Sequence, residues 1–297
     1  MINMEFLINT ISLGSLYALI ALGLVMVYGI LKLVNFAYGE LVMVAGYALF
    51  ALGTYTRFPW YLIMILAISL AALVSVLTEA VAFRPVRSKS LVAILTTSFA
   101  VSMFLQNSVL LIVSPRARAV PLPKIFYQSV NLFGVVTPLR NVLTILTTAV
   151  LLIALTLLMK YTVLGIALRA AADKFTTTRL MGVPANLVIS VAFLISGIMA
   201  GVVSIFWVGR SASVDPLSGG APLLIAFIAT VIGGMNSLTG AVLGGFIYGL
   251  LFNLLSILLP ASLINYRDAF MFLIVIMFLL LRPEGLIKGN YVEERVG

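Results

Sequence analysis

A few polar side chains stand inside long apolar runs, where they could do chemistry, and the first set lies between Asn35 and Glu40. The run Asn35-Phe-Ala-Tyr-Gly39 interrupts two apolar stretches, and Glu40 follows it at the head of the second. A carboxylate there suits the positive end of a helix dipole, and an asparagine can satisfy amides freed by the break. Phe36 and Tyr38 would add an aromatic wall with one hydroxyl. The pattern fits a broken helix lining a transport path, and it fits equally an ordinary capped hairpin at the cytoplasmic surface. Asp215-Pro216, with Gly219 and Gly220, marks a turn before a short apolar segment that can fold back into a membrane. Asn35, Phe36, Tyr38, Glu40 and Asp215 are therefore the candidate translocation-pathway residues.

The remaining acids near apolar sequence read as structural. Glu79 lies about one helical turn before Arg84, a spacing that predicts pairing or snorkelling. Asp268 beside Arg267 reads as a pair at an external boundary. The chain has no Cys and no His, which removes disulfides, thiol nucleophiles, imidazole acid–base chemistry and the usual zinc or haem ligands. No catalytic residue, metal site or cofactor is expected, and no acid dyad faces across two spans to serve an intramembrane enzyme. Scarce mid-span charge also argues against a channel or an ion-coupled carrier. A Gly-rich phosphate loop ending in Lys and Ser or Thr is missing, so any ATP-driven step needs another polypeptide.

The elements that must position these residues are membrane helices. Of 297 residues, 63% are hydrophobic and 9% charged, more apolar surface than a soluble fold can hide. The apolar runs approach the roughly 20 residues that span a bilayer as helix, and they lack the alternation of a β-barrel. The predicted fold class is all-α, a polytopic transmembrane bundle of about eight or nine spans forming one domain over 1–297. The spans run from Ile11 to Leu31, Leu41 to Thr56, Trp60 to Phe83, Leu91 to Val113, Val142 to Met159, Leu187 to Val208, Pro222 to Met235, Leu238 to Leu259 and Ala269 to Leu281.

Charge gives the orientation. Met1 to Thr10 carry Glu5 and no basic residue, which predicts no cleaved signal peptide and an external N-terminus. The cytoplasmic segments then hold Lys32, Arg84, Arg87, Lys89, Lys160, Arg169, Lys174, Arg179, Arg282, Lys288 and Arg295, eleven of the eighteen basic residues. The net charge of +9 is thus a matter of topology, with no nucleic-acid partner. The C-terminus is cytoplasmic on this reading. Pro115, Pro121, Pro123, Gly134 and Pro138 mark 114–141 as an external loop, ordered enough to touch an external partner or simply a spacer.

The cytoplasmic segment 161–186 predicts a short amphipathic helix. Leu164, Leu168, Ala171 and Phe175 fall at helical spacing, Arg169 and Asp173 form an i, i+4 pair, and Gly182 with Pro184 stops it. Such a helix lies on the bilayer surface or docks on a cytoplasmic ATPase. The run Leu164-Gly-Ile-Ala-Leu-Arg-Ala-Ala-Ala-Asp173, followed by Leu180-Met-Gly-Val183, resembles the cytoplasmic loop of permeases from branched-chain amino-acid ABC transporters of the Liv type. Gly14-Ser-Leu-Tyr-Ala-Leu-Ile-Ala-Leu-Gly23, Met26-Val-Tyr-Gly29, Asn35-Phe-Ala-Tyr-Gly-Glu40, Arg84-Pro-Val-Arg87, Val231-Ile-Gly-Gly234 and Gly240-Ala-Val-Leu-Gly-Gly245 match as well, in the order of the H-type subunit. Tyr38 replaces a His usual in that pattern, which leaves no titrating imidazole there.

The resemblance implies a type II importer-like permease in a bacterial or archaeal inner membrane. Its partners would be an M-type permease, two cytoplasmic ATP-binding subunits and an external solute-binding protein. Leu164, Gly165, Leu168, Arg169, Ala171, Ala172, Asp173, Met181 and Gly182 would couple it to the ATPase, and Ala171→Glu would uncouple it while leaving assembly intact. The implied solutes are branched-chain amino acids, with urea, amides or other small solutes as alternatives in the same architecture. Gly197 and Gly201, Gly240 and Gly244, with Gly245 and Gly249, form stripes of small residues for close helix packing. Ile11 to Pro85 and Leu187 to Pro283 loosely share a long span, a polar interruption and further spans, the pattern of an internal duplication.

Overall fold

The computed structural model describes residues 4–287 apart from 33, 88, 133, 174–177, 179–180 and 236. Phe175, Leu180 and the basic residues Lys174, Arg179, Lys288 and Arg295 lie outside the described residues. Helix α1 (Met4–Leu31) is the axis of the bundle. It is apolar on every side and buried from Ser12 to Val27, as a helix without a polar face must be. Around it pack α5 (Leu139–Tyr161), α7 (Ala185–Ser211), α8 (Gly220–Gly233) and α9 (Leu238–Leu258). Beyond α7 lie α2 (Tyr38–Tyr55) and α3 (Trp60–Thr78), the latter continued by a π-helical turn Glu79–Phe83 and a last α turn Arg84–Val86. Helix α4 (Leu91–Ile112) leans on α2, and α10 (Arg267–Leu281) covers α8 and α9.

Among the described residues, seven helices are long and apolar enough to cross a membrane: α1, α3, α4, α5, α7, α9 and α10. Helix α2, with Glu40 in its first turn, and the 14-residue α8 are not among them. The outer faces of α3, α4, α5 and α10 expose Leu73, Phe104, Ile153 and Leu280, side chains that lipid would solvate and water would not. Helix α6 (Val163–Asp173) is a separate short rod set against the ends of α5, α7 and α1.

Glycines fix the closest seams. Gly245 and Gly249 of α9 lie against the backbone of Ala18 and Gly14 of α1, and Gly197 and Gly201 of α7 lie against Ala72 and Ile68 of α3. Gly240 and Gly244 meet Gly233 and Ala229 of α8. Few polar groups pin the apolar interfaces. Asn253 of α9 donates to Thr10 Oγ1 at 2.6 Å and to the Phe6 carbonyl at 3.2 Å, and Ser75 of α3 donates to the Phe193 carbonyl of α7 at 2.6 Å. Each such bond contributes on the order of 0.6 kcal/mol in a membrane bundle.

Among the described residues, the expected all-α fold gives way to short strands in the loop between α4 and α5 and just after α7. There β1 (Arg118–Ala119) pairs antiparallel with β4 (Ser213–Val214), just after α7, and β2 (Ser129–Leu132) forms a hairpin with β3 (Val135–Pro138). Pro121 and Pro123 keep this stretch from continuing as α-helix beyond a short 3-10 turn, Lys124–Tyr127, and other backbone groups find partners across strands. Gly134, at φ +84°, makes the tight turn. Phe126 is buried against Gly209 and staples the loop to the end of α7.

Candidate functional site

Two helix N-termini meet inside the bundle, and the break predicted around Asn35 builds one of them. After α1 the chain turns at Lys32, whose φ is +54°, and Asn35 Oδ1 accepts the Ala37 amide at 3.1 Å while its carbonyl accepts the Tyr38 amide at 3.1 Å. The Phe36 amide donates to Ser98 Oγ of α4 at 2.6 Å, and the Phe36 ring stacks on Phe99 at 4.1 Å. Tyr38, fully buried, reaches back to Gly23 in the middle of α1, where any Cβ would collide with its ring. The first residue of α2 thus packs its ring against the body of α1 and not against its end.

The second N-terminus descends from the opposite end. Val214 of β4 lies on Gly46 of α2, and the chain then runs along α2 until Gly219 lies on Gly39. Asp215 shapes this descent: its Oδ1 accepts the Leu217 amide at 2.9 Å and its carbonyl accepts Ser218 Oγ at 2.6 Å. A Cβ on Gly39 or Gly219 would overlap the other's carbonyl, so the heads of α2 and α8 touch backbone to backbone. Glu40 sits at this contact, 6% exposed. Its Oε1 accepts Ser102 Oγ of α4 at 3.2 Å, and its Oε2 lies beside Gly219 without a hydrogen-bond partner. Two positive helix ends offset the burial of that carboxylate. The geometry can do no covalent chemistry, and among the described residues no three metal-ligating side chains gather. It is a closed junction between two half-helices.

A second polar cluster ties α3 to α7. Glu79, fully buried in the π turn, accepts from Arg84 Nε at 3.3 Å and Arg84 Nη2 at 3.0 Å, and from Ser190 Oγ at 2.8 Å. Arg87 adds an ion pair at 3.6 Å and bonds Asn186 at the start of α7. The expected Glu79–Arg84 pair is thus present, and Arg87 and Ser190 join it. Arg267, by contrast, makes no ion pair with Asp268; its guanidinium lies 3.6 Å over the Phe252 ring and donates to Ser256 Oγ. Adjacent residues on a helix point about 100° apart, which takes Asp268 out of reach.

Helix α6 divides the predicted coupling residues. Thr162 Oγ1 caps it by accepting the Gly165 amide at 3.0 Å, and Gly165 packs on the backbone of Leu158 and Met159. Leu168 and Ala171 face the bundle, Ala171 with only 3% of its surface exposed. Ala171→Glu would therefore disturb packing, a correction to the expectation of an intact assembly. Val163, Ile166 and Met181 point outward, 83%, 54% and 82% exposed, beside the exposed Leu164 and Arg169. Ala172 is half-buried, Gly182 is exposed at φ +86°, and the Asp173 side chain lies outside the described residues. Sequence reasoning missed Ser98 and Ser102, one turn apart on α4, which hold the Phe36 amide and Glu40. Two serines at i, i+4 in an apolar span were the available signal.

Broken helices that start inside a bundle, with lipid-facing helices outside it, define a polytopic membrane transport protein. The chain belongs to the family described as branched-chain amino acid transport system, permease component, whose model matches residues 6–281. It is 34% identical to the high-affinity branched-chain amino acid transport system permease protein LivH of Escherichia coli, over 98% of this chain and 97% of that one. BraD, the corresponding permease protein of Pseudomonas aeruginosa, is 32% identical over the same shares. A probable LivH of Methanocaldococcus jannaschii is 26% identical over 92% of this chain and 89% of its own. The protein is a permease component of a transport system and not an enzyme.

Proposed function

We propose that this chain is the H-type half of an ATP-driven importer for branched-chain amino acids in the cytoplasmic membrane of a bacterium or archaeon. An M-type permease completes the path, two ATP-binding subunits drive it, and an external binding protein delivers the solute. Nine helices embed in the membrane as one permease domain, the seven long ones with α2 and α8. The N-terminus lies outside and the C-terminus in the cytoplasm, an orientation supported by the excess of basic residues at the α6 end.

The observation that carries this reading is the outward apolar face of α6. Val163, Leu164 and Ile166 are exposed on a helix too short to span, beside Arg169 and the exposed Met181 that follows, as a docking element requires. Leu168, Ala171 and Gly165 couple from the other side, by fixing α6 to α5, α7 and α1. Movement of α6 passes to α7 and through Glu79 to α3. The Gly39–Gly219 junction, with Asn35, Phe36, Tyr38 and Asp215 around it, is the gate that such movement opens. The test is co-purification with both ATPase subunits and the second permease, and ATP hydrolysis that rises with loaded binding protein. Transport by the isolated chain along an ion gradient would sink the proposal.

A further inference from the structure

Helices α3 and α7 meet through small residues on one side and part on the other. Gly197 and Gly201 bring α7 onto Ala72 and Ile68, and larger side chains beside that seam splay outward. Between them runs a groove of about 670 Å³, walled by Leu73 and Val76 of α3 and by Leu187, Leu194 and Ile198 of α7. Its lining is apolar apart from Ser69 and Ser190, and Leu73, Leu187 and Leu194 are exposed on the face that lipid would solvate. Ser190 joins the groove to the Glu79 cluster: its Oγ accepts Arg84 Nη2 at 3.1 Å and donates to Glu79 Oε2 at 2.8 Å. Two arginines share that one carboxylate, Arg87 at 3.6 Å with its Nη1 short of a hydrogen-bond partner. The Arg84 side chain is 41% exposed, and its Nη1 takes part in none of the bonds to Glu79 or Ser190. Arg87 bonds Asn186 at the start of α7, the end against which α6 packs.

From Leu187 to Ile198 the groove follows α7 for about 16 Å by helical rise, close to the depth of one leaflet in a hydrocarbon core about 30 Å thick. Its apolar length thus suits an acyl chain, with the arginines where a headgroup would lie. An acyl chain gains little by leaving bulk lipid for the groove, because lipid tails are as apolar as leucine. Selection therefore rests on the headgroup. A phosphodiester accepts charge-assisted, forked hydrogen bonds from a guanidinium, and the unmatched positive charge of the cluster favours a lipid whose net charge is negative. We propose that the groove between α3 and α7 holds one anionic phospholipid from the leaflet on the α6 side, its acyl chain along Leu194 and Leu73 and its phosphate on Arg84. The bound lipid braces α3 against α7 at the cluster that ties them. This inference depends neither on the solute carried nor on the subunits that drive the transporter.

The test uses the full-length protein with the subunits it retains, stripped of lipid in detergent. It is titrated with phosphatidylglycerol, with phosphatidylcholine of the same acyl chains, and with inorganic phosphate. Native mass spectrometry counts the lipids retained, and thermal unfolding reports their effect. One phosphatidylglycerol per chain is expected to stay bound, at least about tenfold more tightly than phosphatidylcholine, and to raise the melting temperature, whereas phosphate alone does not raise it. Leu194→Trp, which fills the groove from its exposed side, and Arg84→Gln are each expected to lose that retention. Leu194→Trp removes no member of the Glu79 cluster, so it keeps the test decisive if Arg84→Gln misfolds. Equal retention of the two lipids overturns the site, as does unchanged phosphatidylglycerol retention in folded Leu194→Trp. Stabilisation by inorganic phosphate equal to that by the lipid assigns the arginines to a free anion and also overturns it. So does a crosslink from Leu194→Cys, the sole thiol in the chain, to another polypeptide in the assembled transporter, because a protein would then cover the groove.

Discussion

Gly39 and Gly219, 180 positions apart, touch backbone to backbone where α2 and α8 begin. Neither position has room for a Cβ, because each would meet the other's carbonyl, and Gly219 would also meet Glu40. Gly39→Ala and Gly219→Ala are each expected to cost about 1–3 kcal/mol through overpacking, and to abolish uptake by wedging the junction. Gly29→Ala is the control. It lies inside α1, where an added methyl group would meet nothing within 4 Å, so helix propensity makes it neutral or slightly stabilising, by up to about 1 kcal/mol. Thermal unfolding in detergent distinguishes them, and equal melting of all three variants would refute the close approach.

The Glu79 cluster makes a different kind of prediction. Glu79→Ala leaves Arg84, Arg87 and Ser190 without their shared acceptor, at a cost of about 3 kcal/mol for a buried pair, reduced toward about 2 because Arg84 is partly exposed. Glu79→Met combined with Arg84→Met should recover part of that loss, since an apolar pair needs no acceptor. A double variant less stable than Glu79→Ala would show that the cluster does not act as an ion pair.

The half-helices are visible in the order of residues, and their meeting is not. Asn35 to Gly39 and Asp215 to Gly220 interrupt apolar runs, so two breaks follow from periodicity. Nothing local says that Gly39 faces Gly219, because that contact depends on how α1 and α7 tilt the intervening chain. Helix α6 itself is foreseen, and only its packed side escapes prediction. It is apolar on two sides, Leu168 and Ala171 on one and Val163 and Ile166 on the other, and a 3.6-residue period cannot say which side the bundle takes. Adjacency in sequence suggests Asp268 as the partner of Arg267, whereas the structure pairs it with Phe252, fifteen residues back on the preceding helix.

Orientation can be tested directly, because the chain has no cysteine and any introduced thiol is the sole reporter. Tyr127 is exposed in the loop between α4 and α5, and Tyr161 is exposed at the corner of α5 and α6. A membrane-impermeant maleimide is expected to label Tyr127→Cys in intact cells and Tyr161→Cys only after permeabilisation. The reverse pattern would invert the topology and move α6 away from any ATPase.

Coupling is the last step to test, and α6 allows it to be separated from folding. Ile166→Glu places a charge on the outward face, where surface substitutions cost within about 0.5 kcal/mol, so the bundle should fold and melt as before. Ala171→Glu forces a carboxylate against α1, α5 and α7, and should lower the folded yield before any effect on ATPase appears. The expected outcome is therefore opposite in the two variants. Ile166→Glu keeps full expression and loses ATPase stimulation by loaded binding protein, whereas Ala171→Glu loses protein. Stimulation that survives Ile166→Glu, in a variant confirmed to be folded, would mean that the motor grips the permease elsewhere.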